Sequence, residues 1–412
     1  MGHVTHHETL TEPAWDVAHG TAHMTPHLVG VVTLPLHQAT GRVLAHDLRS
    51  ATALPRDTTS AMDGYAVGDS SGPWRLVDAP ALAGHVGARE LEPGEAVVIA
   101  TGGVVPHGTF GVVRREYAQV TSVDGGEFIS SVSDNEPWDG SHVRPAGAEA
   151  SLDEVIVHAG QVLTPPRVGL AAMAGVDTVR VRRSVTVDLI VLGDEVTHRG
   201  VPGAGQVRDA FAPQFPAYLQ LLGVDVTQVM FVPDTLDATV RALRDSDADV
   251  IITTGGTAAG PRDHLHRGLE AVGAELVIDS IAMRPGHPNL LARRDGQYIV
   301  GLPGNPLSAT LGGMLTLVRP LVYGLLGRPA PVLGQVVTAD AVVAPARDSR
   351  LVPFSVSWVA GRVVAQETGW LGSGMLRGFA CADGVMVIPP GGVGAGCVVP
   401  SLALPWGSGV SS

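Results

Sequence analysis

Lysine is absent from the sequence, so all 27 of its strongly basic residues are arginine. That excludes Schiff-base chemistry and the Walker-type phosphate loop, both of which need a lysine amine. An anion site must instead use arginine, histidine or backbone N–H groups. Arginine suits oxyanions because its planar fork donates two parallel hydrogen bonds. Cysteine is nearly absent too, and Cys381 and Cys397 alone make neither a disulfide framework nor a four-ligand zinc site. Positive charge is in deficit: the net charge of −13 argues against a nucleic-acid binder or a protein held at anionic membranes. Apolar runs are broken by Gly, Pro or a charge before bilayer length, and MGHVTHHETL lacks the basic start and apolar core of a secretory signal. A cytoplasmic protein is expected. His3, His6 and His7 crowd an end expected to be mobile, which makes a poor metal site.

With 412 residues and 45% hydrophobic content, the chain should fold into more than one globular domain. Residues 14–50 read as helical with breaks. Residues 80–120 are short β-rich runs punctuated by Gly and Pro. Near residue 144 an extended segment and a helix return. From 184 to about 326, VTVDLIVLGDEV, VTQVMFVP and ADVIITTGG read as short buried strands, separated by the helical patterns AFAPQFPAYLQLLGV and TLDATVRALRDS. That alternation predicts a mostly parallel sheet with crossover helices. The remainder, about 327–412, reads as a β-barrel or β-sandwich.

Ligands of open parallel sheets sit outside the carboxyl ends of the strands. Three such ends carry notable loops here: LGDEV with Asp194 and Glu195, TTGGTAAGPRD with Thr254, Gly255, Gly256 and Asp263, and VGLPGNPLSAT with Gly304, Asn305, Pro306 and Ser308. Glycines let a backbone approach phosphate, and helix N-termini present free N–H groups. Paired carboxylates facing an anionic ligand would need a divalent cation. MRPGHP adds Arg284 and His287. Each piece alone is an ordinary turn or a solvated pair of acids. Their succession at neighbouring strand ends is not. RDTTSAMDGYAV is ambiguous locally, because Asp63-Gly64 is a common turn dipeptide.

Together SAMDGYAV, PGEAVVIATGGVVPHG, VVRRE, GDEV, GQVRD, GGTAAGPRD, RPGHP, GLPGNPLSA and GSGMLRGFACADGVMVIP resemble the molybdopterin molybdenumtransferases, a family that includes the gephyrin E domain. The likeness spans almost the whole chain, and SAMDGYA and GLPGNP are its specific parts. It implies an α/β multidomain protein in four parts. These are an elongated domain (1–51 plus 144–182), a β-rich inserted domain (52–143), a molybdopterin-binding α/β domain (183–326) and a C-terminal β-barrel-like domain (327–412). It also implies a homodimer whose active cleft is shared between subunits, with adenylylated molybdopterin and molybdate as substrates, AMP as product and Mg2+ as the required cation. The molybdenum cofactor would then pass to other biosynthesis proteins or to molybdoenzymes. By this resemblance Asp63, Glu195 and Asp263 are the catalytic and metal-holding acids. Thr101, Asp194, Thr254, Gly255, Gly256, Gly304, Asn305, Pro306 and Ser308 hold the pterin and phosphate. Arg284, His287, Arg350 and Ser373 match positions near the molybdate site.

The sequence departs from the family at defined points. Arg56-Asp57-Thr58-Thr59 replaces Pro-Phe-Asp-Asn, Pro261 replaces an acid, Ala210 and Phe211 replace Ser-Asn, and His287 replaces the second lysine of KPGKP. Two other readings follow: a catalytically weak paralogue that binds or hands over the cofactor, and a scaffold, which no extra domain or linker supports. His287 sets up a first prediction. Molybdate is a dianion, and a free imidazole titrates at about pH 6.5. Molybdate affinity should therefore fall as pH rises from about 6 to about 8, and His287→Lys should flatten the dependence. Calorimetry at several pH values decides; a parent curve as flat as the mutant's leaves Arg284 as the residue of RPGHP that matters.

Overall fold

The structure, a computed structural model, describes residues 9–77, 80–81, 90–257, 264–359 and 361–407. His3, His6, His7, Pro261 and Asp263 lie outside the described residues. The chain folds as two compact units, one of residues 33–40 and 46–180, the other of residues up to 32, 41–45 and from 181 onward.

The smaller unit is built on a six-stranded sheet. Its strands are β1 (Gly64–Val67), β2 (Trp74–Leu76), β3 (Glu95–Ile99), β4 (Gly111–Arg114), β5 (Ala118–Val123) and β6 (Gly126–Ser131), in the order β4-β1-β3-β2-β6-β5. Side-chain alternation gives the sheet two apolar faces. Ala66, Val97, Ile99 and Val112 are buried on one, and Val67, Trp74, Ala96, Val113 and Ile129 on the other. Gly64 must be glycine, since a Cβ there would drive into the Val113 carbonyl of β4. The expected helix near residue 165 is Pro165–Met173, with proline in its first turn.

The larger unit carries the predicted α/β block. Its first helix is α1 (Trp15–Met24). Then β7 (Val185–Leu192), α2 (Phe211–Leu221), β8 (Val224–Val232), α3 (Leu236–Arg244), β9 (Val250–Thr254), α4 (His264–Ala271), β10 (Glu275–Asp279), β11 (Leu290–Arg294), β12 (Gln297–Leu302) and α5 (Pro306–Leu326) alternate along the chain. The seven-stranded sheet has the order Leu10–Thr11, β10, β11, β12, β9, β7, β8. Pairs β12–β9, β9–β7 and β7–β8 are parallel, while β11 runs antiparallel to both its neighbours. The sheet is mostly parallel, as its continuous apolar strands predict. Ile190, Leu192, Ile251 and Ile299 meet Leu243 of α3 and Leu265 and Leu269 of α4 in one core.

Glycines and a proline interrupt the apolar run of α5 in sequence, but the helix itself continues from end to end, with Ala309–Val318 in π-helical form. It is long and apolar enough to cross a bilayer, yet 89% of that stretch is buried within the fold. Gly312 and Gly313 are what let it pack. A Cβ on Gly312 would collide with Gly286 and the Asn289 amide, and one on Gly313 with Leu302. The RPGHPN loop is thus seated directly on the helix backbone. Beyond it, β13 (Gly334–Val337), β14 (Ser349–Val359), β15 (Arg362–Glu367), the short α6 (Arg377–Ala380), β16 (Gly384–Ile388) and β17 (Val398–Ala403) form the C-terminal β region. Strands pair in the order β15-β14-β16-β17-β13, and a bridge from Thr338 to Ala365 joins the end of β13 to β15. The sheet therefore curls into a barrel-like ring around Val352, Phe354, Met386 and Val399.

The helical reading of residues 14–50 holds only for α1. Val31–Pro35 is a strand and Leu36–Gln38 a single 3-10 turn. The β-branched run Val31-Val32-Thr33 and the prolines at 26 and 35 account for the difference. α1 packs His19 into the interior, 8% exposed, with no hydrogen-bond partner for Nε2 among the described residues. Burial, then the charges of Arg319 and His23, push its pKa from 6.5 down to about 4. Between those values the unfolded chain binds a proton that the folded chain refuses, so folding stability is lost as pH falls from about 6.5 to about 4, by up to roughly 3 kcal/mol. His19→Gln should remove that part of the slope in denaturant melts across the window. An unchanged slope would contradict the assignment.

Candidate functional site

β12, β9 and β7 lie side by side and parallel, so Leu302, Thr254 and Leu192 release their chains at one edge of the sheet. From β7 the chain crosses to β8 on one side, then returns to β9 on the other, which makes the gap between β7 and β9 a topological switch point. The loops there hold one another. Gly255, at φ +89°, donates its N–H to the Leu302 carbonyl at 2.8 Å. A Cβ on it would lie 3.0 Å from the Leu192 oxygen. Gly304 packs against the Gly255 backbone. Residues of all three predicted loops are therefore brought together.

The amides do not all face a ligand as expected. That of Gly255 is engaged with Leu302. The N-terminus of α5 is closed as well: Pro306 has no N–H, and Leu307 and Ser308 donate to the Ser373 carbonyl at 2.9 and 3.2 Å. Ser373 thus joins the strand-end group as a backbone acceptor, and Gly374 beside it approaches the Asn305 side-chain oxygen. What the site does offer is Thr254. It is 1% exposed, and its hydroxyl has no partner among the described residues. A buried hydroxyl left unpaired is destabilising unless something completes it.

The acids divide. Asp194 and Glu195 are both exposed just past β7. Asp194 accepts from the Asp234 N–H at 3.2 Å, and Glu195 folds back over Gly193. Asp263 lies outside the described residues. Among those residues no group of three or more His, Cys, Asp or Glu is placed to hold a metal ion. The hard oxygens of Asp194 and Glu195 nevertheless suit magnesium, which takes one or two carboxylates and fills its shell with water and phosphate.

Asp63 immediately precedes β1 in the smaller unit, and Thr101 follows β3, with which β1 pairs antiparallel. That places the two loops at one end of the sheet. The Thr101 N–H donates to the Asp63 carboxylate at 2.6 Å. Thr101, first through this amide and then through its hydroxyl, holds the Asp63 pKa below the usual aspartate value. Asp63 is therefore not the local turn former. Ser60 does that work, its hydroxyl donating to the Met62 carbonyl at 2.6 Å. Ser60 also pins the neighbouring loop through Ser60 N–H to Gly103 oxygen and Gly102 N–H to Ser60 oxygen, each 2.9 Å. The signature and the TGG loop brace each other and leave the Asp63 carboxylate exposed.

The basic group is partly neutralised. Arg284 and Arg350 are register partners where Met283–Arg284 pairs with β14. Each already has an acid: Arg284 Nε lies 3.3 Å from Asp348, and Arg350 lies 2.9 Å from Glu367. His287 Nε2 lies 2.8 Å from Glu12. Sequence reading missed these acids because Glu12 and Asp348 are remote in the chain from His287 and Arg284, and Glu367 meets Arg350 only once β15 folds back on β14. It also missed Asp209, whose carboxylate accepts from the N–H groups of Phe211 and Ala212 and caps α2. Phe211 itself is buried against Phe215, 5.2 Å between ring centroids, so the departure at Phe211 serves helix packing.

Comparisons with known proteins agree along the chain. Residues 14–175 match the MoeA N-terminal region (domain I and II), residues 188–323 the family described as "Probable molybdopterin binding domain", and residues 335–404 the MoeA C-terminal region (domain IV). The chain is 30% identical over 375 residues to a molybdopterin molybdenumtransferase of Haemophilus influenzae, covering 88% of this chain and 91% of the relative. It is 33% identical over 382 residues to molybdopterin molybdenumtransferase 2 of Mycobacterium tuberculosis, covering 87% and 91%. In fold it is similar to a molybdopterin biosynthesis MoeA protein of Pyrococcus horikoshii, with TM-score 0.77, 24% identity, and coverage of 95% of this chain and 99% of that one. The strand-end crevice, the braced Asp63 loop and the match along three successive regions have one common explanation: this chain belongs to the molybdopterin molybdenumtransferase family, the enzymes of molybdenum cofactor biosynthesis.

Proposed function

We propose that this chain inserts molybdenum from molybdate into adenylylated molybdopterin. In that reaction water adds to the phosphate anhydride and AMP departs, while the dithiolene thiols displace oxygen from molybdate, which leaves with their protons as water, so that molybdenum becomes bound by the two sulfurs. The observation that carries the reading is the convergence of three parallel strand ends on the buried, unpaired Thr254 hydroxyl. A phosphate or pterin oxygen or nitrogen at that point would complete it. Gly255, Gly256, Gly304 and Asn305 shape the floor, and Pro306 and Ser308 begin the helix behind it. Arg284, Arg350 and His287 receive molybdate. Their acids Asp348, Glu367 and Glu12 hold the side chains in place and moderate the charge, so an incoming dianion must compete with carboxylates.

Magnesium would be held by Asp63, Glu195 and Asp263, with Asp194 beside Glu195 on the pterin and phosphate side. When bound it would offset negative charge on the phosphates of the anhydride. Asp63, kept ionised by Thr101, orients water or the cation at the anhydride. The four-part domain division implied by the family resemblance is retained in this reading. So is a homodimer in which the inserted domain of one subunit meets the α/β domain of the other. The two free cysteines suit a reducing compartment, and we place the protein in the cytoplasm, upstream of the molybdoenzymes it supplies. The reading as a binding paralogue is not favoured, since the relatives that match along almost the whole chain are molybdopterin molybdenumtransferases.

Asp63→Asn should reduce AMP release at least about a hundredfold with the melting temperature unchanged, because it keeps the size and removes the charge. Activity equal to the parent's would return Asp63 to a structural role. Mixing Asp63→Asn with Asp263→Ala should restore part of the activity if the cleft is shared between subunits. Failure to complement, with heterodimers demonstrated, would place each cleft within one chain. Thr254→Val keeps the shape and removes the unpaired hydroxyl. It should leave the protein as stable as the parent or slightly more so, while weakening adenylylated molybdopterin binding about fivefold to tenfold. Unchanged binding with lowered stability would show the hydroxyl to be structural.

A further inference from the structure

In the smaller unit the carboxylate of Glu136 is buried, its side chain 1% exposed, and no step of the proposed reaction uses it. A charge so buried needs partners. Those of Glu136 come from two separate pieces of chain. Arg114, the last residue of β4, donates its backbone N–H to one carboxylate oxygen at 3.1 Å and its Nε–H to the other at 2.6 Å. Arg114 Nη2 also lies 2.6 Å from that second oxygen. His142 Nε2 meets the same oxygen at 3.0 Å. Burial opposes the charge, but the donors of Arg114 and then of His142 outweigh it and hold the Glu136 carboxyl below the usual glutamate range. An ionised carboxylate only accepts, so His142 Nε2 carries a proton.

Both partners flank Asp63. Arg114 is the register partner of Gly64, the residue after Asp63, and the next N–H, of Arg115, donates to the Asp63 carbonyl at 3.0 Å. On the other side the Ala61 N–H donates to the His142 carbonyl at 2.7 Å, and Val143 pairs with Ser60. His142 sits at φ +53°, a conformation that a residue other than glycine keeps only where its surroundings hold it. Residues 60–63 are thus gripped from both sides, and one carboxylate joins the two grips. Thr101 holds the Asp63 carboxylate, and the Glu136 partners hold the backbone that carries it. We infer that Glu136 is a positioning residue for the proposed reaction: by tying Arg114 to His142 it sets where the Asp63 carboxylate stands against its Thr101 donor. This inference rests on the reading of Asp63 as a catalytic acid.

Glu136→Gln keeps the shape and removes the charge, while the Ser141 hydroxyl still docks the segment on the backbone of Val112. In the full chain, hydrogen exchange followed by mass spectrometry should show residues 56–64 and 99–103 exchanging about tenfold faster, with residues 118–131 of β5 and β6 unchanged. The kcat for AMP release should fall about tenfold or more, with KM for adenylylated molybdopterin unchanged. In an Asp63→Asn background Glu136→Gln should cost nothing further, because a residue that acts through another is not additive with it. His142→Asn suits the positive φ, is too short to reach Glu136, and should give the same pattern in weaker form; it carries the test if Glu136→Gln does not fold. Unchanged exchange around Asp63 would overturn the inference. So would exchange raised equally in β5 and β6, which is the mark of general support for the sheet, or a loss that multiplies with that of Asp63→Asn. A parent that releases no AMP would sink the proposed function and leave the exchange comparison to decide whether Glu136 holds the Asp63 loop.

Discussion

The arrangement depends on three parallel strands running side by side. Strands β12, β9 and β7 must release their chains at the same edge, and the hydrogen bond from Gly255 to the Leu302 carbonyl fixes how close two of those exits come. With φ at +89° and the Leu192 oxygen 3.0 Å from where a Cβ would stand, glycine is the residue that allows this approach. The consequences propagate outward. Gly304 reaches the Gly255 backbone, α5 begins beside it, and Ser373 from the C-terminal β region supplies the carbonyl that closes the helix end. Gly312 and Gly313 then seat the RPGHPN loop on the same helix.

The alternating helices and strands of the α/β block were legible because each is a short local pattern, and the strand-end loops followed from its parallel topology. The 14–50 segment was misread because the β-branched Val31-Val32-Thr33 run is shorter than the helical pattern around it. The site was legible as a set of residue types and much less as a set of bonds. Asp63 and Thr101 were both named, and the structure joins them. The expectation of open amides at the start of α5 fell to the Ser373 carbonyl, and a backbone oxygen leaves no trace in side-chain pattern. The pairing of His287 with Glu12 spans most of the chain, so no local motif could announce it.

A chain without lysine would also change the character of the proposed anion site. Arginine and histidine hold defined geometry and accept specific acid partners, which a flexible ammonium would not require. Arg284, Arg350 and His287 are each paired in this way, so selectivity for a tetrahedral dianion would come from displacing or sharing carboxylates rather than from excess positive charge. In the proposed site stability and charge selection would be coupled in the same few side chains, and α5 is the common support beneath the RPGHPN loop and the strand-end crevice.

The central claim is that one crevice couples anhydride cleavage to molybdenum insertion. The most direct measurement follows AMP formation and molybdate consumption in the same single-turnover incubation of purified protein with adenylylated molybdopterin and magnesium. The account predicts that the two appear one for one and that AMP stays at background without molybdate. AMP released at the same rate in the absence of molybdate would show a simple hydrolase and contradict the coupling.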